Sequence, residues 1–413
     1  MRIRRALSSP ECNEGLFNMT DESMPLKPSS RVGPAKLFLA FLRLGVTAFG
    51  GPAMVAYIRE MAVTKKRWLS EATFQDGVAL CQSIPGATAM QIAAYAGLRA
   101  GGPSGAAAAF IGFGLPAFLI MLFLSFLYRE FQQFHVAESV FFGLRVIVVV
   151  IMANATWLFA RTSLKNLSDG GLAIGTACFL FAGGAPALAI LLSAGLALVL
   201  YRSIKEAPRS EICETPDSAG FARTAIGVAV VATAALAVLY CLDRNLFALA
   251  ALMVKVNVLA LGGGYAAIPL MLHEVTEKRA WLGPEAFMDG IALGQVTPGP
   301  VVITATFVGF QVRGILGAVV ATIAVFTPSF VLLLGLVPYF DRLQQFGAFR
   351  HAVRGALVCF VGLLFAVTIR FAIAIPWSPV SVLLGCLALV AIRMKVDLIW
   401  VVGFGSLISA ILF

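Results

Sequence analysis

The chain has 413 residues, of which 60% are hydrophobic and 13% are charged, and its mean hydropathy is +0.91. Soluble domains carry about 25% charged residues, so this composition excludes a water-soluble protein and predicts an integral membrane protein. The net charge of +10 lies in short connectors between apolar runs, where basic residues orient membrane spans, and no nucleic-acid partner is expected. Seven scattered cysteines and three distant histidines predict neither a metal site nor a disulfide framework. No cofactor is expected, since neither glycine run has the form of a P-loop.

In chain order, a polar stretch at residues 1–34 predicts a disordered cytoplasmic tail without a signal peptide. The apolar runs that follow approach the ~20 residues that a helix needs to cross the hydrocarbon. They predict an all-α, polytopic membrane fold of about thirteen transmembrane helices, some of them broken. The predicted spans are 36–58, 73–98, 104–128, 137–160, 170–184, 185–201, 223–242, 246–270, 286–310, 314–338, 350–371, 375–391 and 396–413.

The sequence contains an internal repeat, which divides the chain into homologous halves. Residues 49–86 match residues 262–299 at 14 of 38 positions with no gap. The two copies begin in the first and eighth predicted spans, so an odd number of crossings separates them and predicts two inverted homologous halves. The alternative is that the Gly-Gly segments are re-entrant hairpins and not full spans, which changes the parity and allows parallel repeats. The predicted domains are the tail 1–34, a first repeat 35–201, a linker loop plus connecting helix 202–245, and a second repeat 246–413.

The distribution of basic residues predicts the orientation of the chain in the membrane. Twenty Lys and Arg fall on the side of the N-terminus and eight on the other side. By the positive-inside rule, the N-terminus is expected in the cytoplasm and the C-terminus in the periplasm, in a multi-pass protein of the inner membrane.

Glycine and proline interrupt four of the predicted spans at matching places in the two copies. Broken backbone at membrane depth has to face protein or a watery cavity, and a half-helix beginning there points bare N–H groups at an anion. The alternative is that small residues only allow helices to pack closely. The candidate substrate-binding residues at these breaks are Gly50, Gly51, Pro52, Gln82, Pro85, Gly86, Gly263, Gly264, Gln295, Thr297, Pro298 and Gly299. For Gln82 and Gln295 a role as interhelical hydrogen-bonding residues is equally open.

Three cations lie inside predicted spans, where a charge is usually functional or paired. Arg43 and Lys255 precede the glycine breaks at Gly50 and Gly263 by seven and eight residues and are candidate substrate ligands. The alternative for them is snorkelling to the membrane surface. Arg145 is expected to pair with Glu138 or with another helix.

Asp76 and Asp289 begin the second and ninth predicted spans. The favoured interpretation is a first-turn acid that complements the helix dipole; a proton-coupling carboxylate is the second, and an intramembrane aspartyl protease dyad a distant third. Trp68 and Trp281 stand beside basic residues and predict interface anchors. No catalytic residue is assigned.

The motifs resemble those of the chromate ion transporter family, two-domain type. The resemblance lies in Phe49-Gly-Gly-Pro52, Trp68-Leu69, Leu80-Cys81-Gln82 with Pro85-Gly86, residues 112–116, and Gly294-Gln295 with Thr297-Pro298-Gly299-Pro300. It implies a polytopic inner-membrane protein that expels chromate, driven by the proton-motive force. The expected partners are chromate or a similar oxyanion, the proton and the lipid bilayer, with a homodimer left open. A sulfate or other oxyanion transporter, and a passive anion channel, are the alternatives.

Overall fold

The protein is all-helical in the described residues of this computed structural model, which are 31–48, 53–131, 134–200, 218–340 and 346–412. The predicted tail up to residue 30, most of the connector 202–222, and Gly50, Gly51 and Pro52 lie outside this range. The α-helices are α1 Pro34–Thr47, α2 Ala53–Arg59, α3 Glu71–Ser83, α4 Thr88–Phe131, α5 His135–Ser163, α6 Leu167–Phe181, α7 Pro186–Leu200, α8 Ser218–Leu242, α9 Arg244–Leu259, α10 Ala267–Leu272, α11 Pro284–Val296, α12 Thr304–Leu336, α13 Gly347–Ala374, α14 Pro379–Arg393 and α15 Leu398–Leu412. Short 3₁₀ or π turns flank several of them: Glu60–Lys65, Gly264–Ala266, His273–Lys278, Val301–Ile303 and Val337–Tyr339.

The prediction of a helical membrane protein is confirmed by five long apolar helices. By length and composition, α4, α5, α8, α12 with its flanking turns, and α13 can each cross a membrane. Four shorter apolar helices, α6, α7, α14 and α15, accompany them in the described part of the chain. α8 packs against α9 and α12 along one side, and large apolar side chains on its other side, such as Ile226, Val230 and Val231, are exposed.

The second half repeats the helices of the first half in the same order. α11 follows α3 at a shift of 213 residues, while α14 and α15 follow α6 and α7 at a shift of 212. The π turns Glu60–Lys65 and His273–Lys278 also correspond, and each is followed by a residue with positive φ, Arg67 at +50° and Ala280 at +51°. α8 stands between the two sets and has no counterpart.

The four interrupted spans, 36–58, 73–98, 246–270 and 286–310, are hairpins that return to the face they started from. The prediction of single crossings is wrong for these spans, and the alternative of re-entrant hairpins at the Gly-Gly segments is the one that the structure shows. A Cβ on Gly77 of α3 would lie 2.2 Å from the Tyr95 ring of α4, and one on Gly290 would lie 2.4 Å from the Phe307 ring. The members of these two pairs lie at nearly equal sequence distances from their breaks, which requires antiparallel arms. In the other two spans, Lys255 pairs with Glu274, and Lys36 lines one groove with Lys65. α3, with 13 residues, is about 20 Å long, short of the ~30 Å of hydrocarbon. Hydropathy could not reveal the return because both arms are apolar.

The two halves enter from opposite faces, as the repeat predicted. We call the face at which α1 begins the N-terminal face; α4 turns there at Gly102 (φ +72°), since Val32 N donates to Ala100 O at 2.9 Å. α4 then runs to the opposite face, where Tyr128 donates to Asp289 near the start of α11. α11 therefore begins at the opposite face, and the hairpins of the two halves point at each other.

Candidate functional site

The tips of the hairpins cross and hydrogen-bond reciprocally. Gly86 N donates to Ala260 O at 2.9 Å, and Gly299 N donates to Ala48 O at 3.1 Å. Gly86 and Gly299 are equivalent in the repeat, and so are Ala48 and Ala260. A backbone N–H at a break in each half is thus hydrogen-bonded to a backbone carbonyl at a break in the other half, as non-helical backbone at membrane depth requires.

Glycine is required at both crossing points by conformation and by space. Gly86 and Gly299 have φ of +126° and +122°, a region that favours glycine. A Cβ on Gly86 would lie 2.3 Å from Ser329 Oγ, and one on Gly299 would lie 2.6 Å from Ala117 Cβ. Ala117 and Ser329 are themselves repeat equivalents, so the tight packing is duplicated.

A buried polar network supports the tip that contains Gly86. Ala87 N donates to Ser329 Oγ at 2.9 Å, and Ser329 donates to Asn257 Oδ1 at 2.9 Å. Gln91 Nε2 donates to Pro85 O at 2.8 Å. Gln91, Asn257 and Ser329 are all fully buried, which places their amides and hydroxyl at the crossing rather than in solvent.

Three amide side chains at the crossing keep one polar atom without a partner among the described residues. These atoms are Gln91 Oε1, Asn257 Nδ2 and Gln295 Nε2. A buried polar group left unpaired costs about 1–3 kcal/mol, so each needs a reason. Two of the three atoms are N–H donors, which are the groups that bind an anion.

The predicted candidates from the breaks lie at or beside the hairpin tips, but their exposure to solvent differs. Gln295 is 4% exposed and lies near Tyr265, whose hydroxyl is 3.4 Å from Gln295 Oε1. Gln82, its repeat equivalent, is exposed. Thr297 Oγ1 donates to Leu293 O at 2.8 Å, within its own helix end. Gly264 opens the 3₁₀ turn after the third break. The other candidates at the breaks are Pro85, Gly263 and Pro298, all in non-helical backbone.

The cations predicted as ligands lie away from the crossing. Lys255 Nζ is 2.5 Å from Glu274 Oε1, and Glu274 also contacts Arg279. Arg43 is exposed in a groove between α1 and the second arm of its hairpin.

Trp68 and Trp281 lie at the bases of the corresponding hairpins, and the Arg279 guanidinium stacks 5.2 Å from the Trp281 ring.

The two aspartates differ sharply in their surroundings. Asp289 is fully buried and receives two hydrogen bonds from Arg145, at 2.7 and 2.8 Å, and one from Tyr128 at 3.0 Å. Asp76 is exposed near the start of α3. Of the partners predicted for Arg145, the structure shows the one on another helix rather than Glu138. The aspartates lie at opposite faces, which overturns a protease dyad.

Sequence reasoning missed Asn257, Ser329, Gln91 and Tyr128. Asn257 left a signal, because it is an amide inside an apolar span two residues after Lys255, and polar residues in spans mark function or helix contacts. Ser329 and Tyr128 left none, since isolated hydroxyls are common in membrane helices and their partners lie far away in sequence.

Two inverted halves, each with hairpins whose broken tips meet between the faces, form the architecture of a secondary membrane transporter. Similarity to known proteins identifies the family within this class. The chain belongs to the chromate transporter family, whose model matches residues 35–199 and 247–411. The protein is therefore a transporter and not an enzyme.

Several curated proteins are similar over most of their length. The chain is 41% identical to an uncharacterized transporter of Methanocaldococcus jannaschii over 393 residues, 94% of this chain and 96% of that protein. It is 30% identical to the chromate transport protein of Cupriavidus metallidurans over 363 residues, 87% of each chain. It is 32% identical to the chromate transport protein of Pseudomonas aeruginosa over 336 residues, 79% of each. No solved structure matches the chain.

Proposed function

We propose that the protein exports chromate, or a similar tetrahedral oxyanion, across the inner membrane by alternating access. Relatives that cover most of the chain are chromate transport proteins. The observation that carries the proposal is the reciprocal crossing of hairpin tips, where Asn257 and Gln295 keep buried N–H donors. A dianion leaving water needs such donors, and half-helices that begin at the crossing add the positive ends of their dipoles.

The crossing also supplies a pivot for the transport motion. The bonds Gly86–Ala260 and Gly299–Ala48 each join one half to the other. Rocking of the inverted halves about these two points exposes the crossing to one face and then to the other, while the substrate stays between the tips. The candidate residues at the breaks that the structure describes line this position in the proposal.

Asp289 is the proposed proton carrier, in preference to Asp76. Its carboxylate joins α11 to α5 through Arg145, so a proton on Asp289 removes the charge that holds the hairpin to its neighbour. Asp289→Asn is expected to abolish the pH dependence of transport, whereas Asp76→Asn is expected to keep it. Equal pH profiles for both variants would remove Asp289 from the coupling.

The basic connectors support an orientation with the N-terminal face in the cytoplasm. Because the interrupted spans are hairpins, the four basic residues of 59–67 lie at the N-terminal face and the two at 278–279 lie at the opposite face, which gives 22 basic residues against six. Export then means loading of the substrate from the N-terminal face. Reporter fusions at the two termini test the orientation directly.

Chromate flux in everted inner-membrane vesicles tests the function, with the proton gradient set externally and sulfate as competitor. Wild type is expected to accumulate chromate and to stop when a protonophore is added. Gly299→Leu should abolish uptake, because a side chain there meets Ala117 and the backbone has positive φ. Gly227→Leu is the matched control, since a Cβ at Gly227 meets nothing within 4 Å.

The same assay separates the alternatives. A passive anion channel would equilibrate chromate without concentrating it and would ignore the protonophore. Sulfate uptake that chromate fails to inhibit would make sulfate the substrate. Full uptake by Gly299→Leu would show that the crossing takes no part in transport.

A further inference from the structure

The repeat places a carboxylate in one half at a position where the other half has none. The helix before each glycine break corresponds at a shift of 212, because buried Leu37, Phe41 and Gly45 of α1 match Leu249, Met253 and Asn257 of α9, all buried. At this shift Arg43 is the structural equivalent of Lys255. The π turns correspond at 213, so Met61 is the equivalent of Glu274.

In the second half, Glu274 acts as a bound anion among cations. Its side chain is 6% exposed. Its carboxylate is 2.5 Å from Lys255 Nζ, 3.8 Å from Lys278 Nζ, and in contact with the Arg279 guanidinium. Three cations therefore converge on one carboxylate.

In the first half, the equivalent cations are present and the carboxylate is replaced by a thioether. Arg43, Lys65 and Lys66 are the equivalents of Lys255, Lys278 and Arg279, and all three line one groove of about 710 Å³ together with Met61. Lys36 lines it as well. Among the described residues, the only acidic side chain that lines the groove is Glu60, which pairs with Lys65 at 2.9 Å. The groove keeps an excess of positive charge and opens near the base of its hairpin.

We infer that this groove binds a free oxyanion in the place that the Glu274 carboxylate takes in the other half. The ligand chemistry is a tetrahedral anion with several charged oxygens, which arginine and lysine recognise through charge-assisted hydrogen bonds. The choice of chromate as a probe rests on the proposed function, whereas the site itself rests on the repeat. An anionic lipid headgroup offers the same oxygens, and the test separates the two sources.

The test measures equilibrium binding to the full chain in nanodiscs of phosphatidylcholine by calorimetry, with sodium sulfate and sodium chromate as probes. Met61→Glu supplies a tethered carboxylate and should weaken binding by about 10- to 100-fold, the effect of losing one or two hydrogen bonds to a charged group. Thr64→Glu adds the same charge to the same π turn at an exposed position outside the groove lining, and its binding should match wild type.

Further variants keep the test independent of folding at Met61. Arg43→Gln, at an exposed position, should weaken binding by a similar factor. Glu274→Gln should add a second binding event, since it frees the corresponding cations. Competition by phosphatidylglycerol in the nanodisc would identify a headgroup as the occupant, and its absence a free oxyanion.

Equal affinities for Met61→Glu and Thr64→Glu would overturn the inference, as would binding that persists in Arg43→Gln. Flux measured on the same preparations separates this outcome from failure of the proposed function. Wild type that binds in the groove but moves no chromate would overturn export alone. Wild type that exports chromate with no difference between the glutamate variants would overturn the groove alone.

Discussion

Removal of Arg145 should destabilise the protein strongly, because it leaves the buried Asp289 carboxylate without its ion-pair partner and without access to water. The Asp289 side chain is 0% exposed, and Arg145 supplies two of its three hydrogen bonds. Breaking a buried ion pair from one side costs about 3–5 kcal/mol. Arg145→Met should therefore lower the free energy of unfolding by that amount. The double variant Arg145→Met/Asp289→Leu should recover most of the loss, since apolar residues can replace a buried pair at little net cost.

The measurement is unfolding in mixed micelles by titration with sodium dodecyl sulfate, followed by tryptophan fluorescence. Glu285→Gln is the control, because Glu285 also pairs with Arg145 but is 64% exposed, and exposed pairs contribute at most about 1 kcal/mol. The reasoning is refuted if Arg145→Met is no less stable than Glu285→Gln. It is also refuted if the double variant is as unstable as the single one.

Two further predictions concern a helix cap and the crossing. Asp243 caps α9 and accepts hydrogen bonds from Arg313, and the Arg313 side chain holds the pKa of this carboxyl below its usual range. A carboxyl whose pKa is lowered by folding stabilises the protein above its unfolded pKa of about 4, and this stability is lost as the pH falls through its folded pKa. The melting temperature of Asp243→Asn should therefore fall less than that of wild type when the pH is lowered. An equal fall in melting temperature would contradict this prediction. Gln295→Ala should raise the KM for chromate by about 10- to 100-fold, because a hydrogen bond to a charged ligand is lost. Gln82→Ala should raise the KM less, because the Gln82 side chain is exposed. A larger KM increase for Gln82→Ala in vesicle flux would contradict the site.

The sequence predicted the features that depend on local backbone chemistry and missed those that depend on direction and distance. Pro85-Gly86 and Pro298-Gly299 break helices wherever they occur, so the breaks were predictable. The direction of the chain after each break was not, because an apolar arm that returns has the same composition as one that continues. The partner of Arg145 lies 144 residues away, and no local pattern connects the two residues.

The duplication itself explains one pair of differences between the halves. Ala87 corresponds to Pro300, and Ser329 corresponds to Ala117. The backbone N–H of Ala87 donates a hydrogen bond to Ser329 Oγ at 2.9 Å. Pro300 has no backbone N–H, so the alanine at position 117 leaves no donor unpaired. Serine therefore occurs at position 329, which faces the backbone N–H of Ala87, and alanine occurs at position 117, which faces the tip that has Pro300 and no N–H.

This relation predicts that the two positions are coupled. Ser329→Ala leaves the buried Ala87 N–H unpaired and should cost about 1–3 kcal/mol of unfolding free energy. Ala87→Pro alone should also destabilise, because the proline ring replaces the hydrogen that points at Ser329. The double variant reproduces the arrangement of the other half, and Gly86 has nearly the same φ as Gly299 before Pro300. The double variant should therefore be more stable than the sum of the single effects by about 1–3 kcal/mol, even though Asn257 Oδ1 loses its donor in both variants that lack the serine. Additive losses in the same unfolding assay would show that the serine is not there to satisfy the tip.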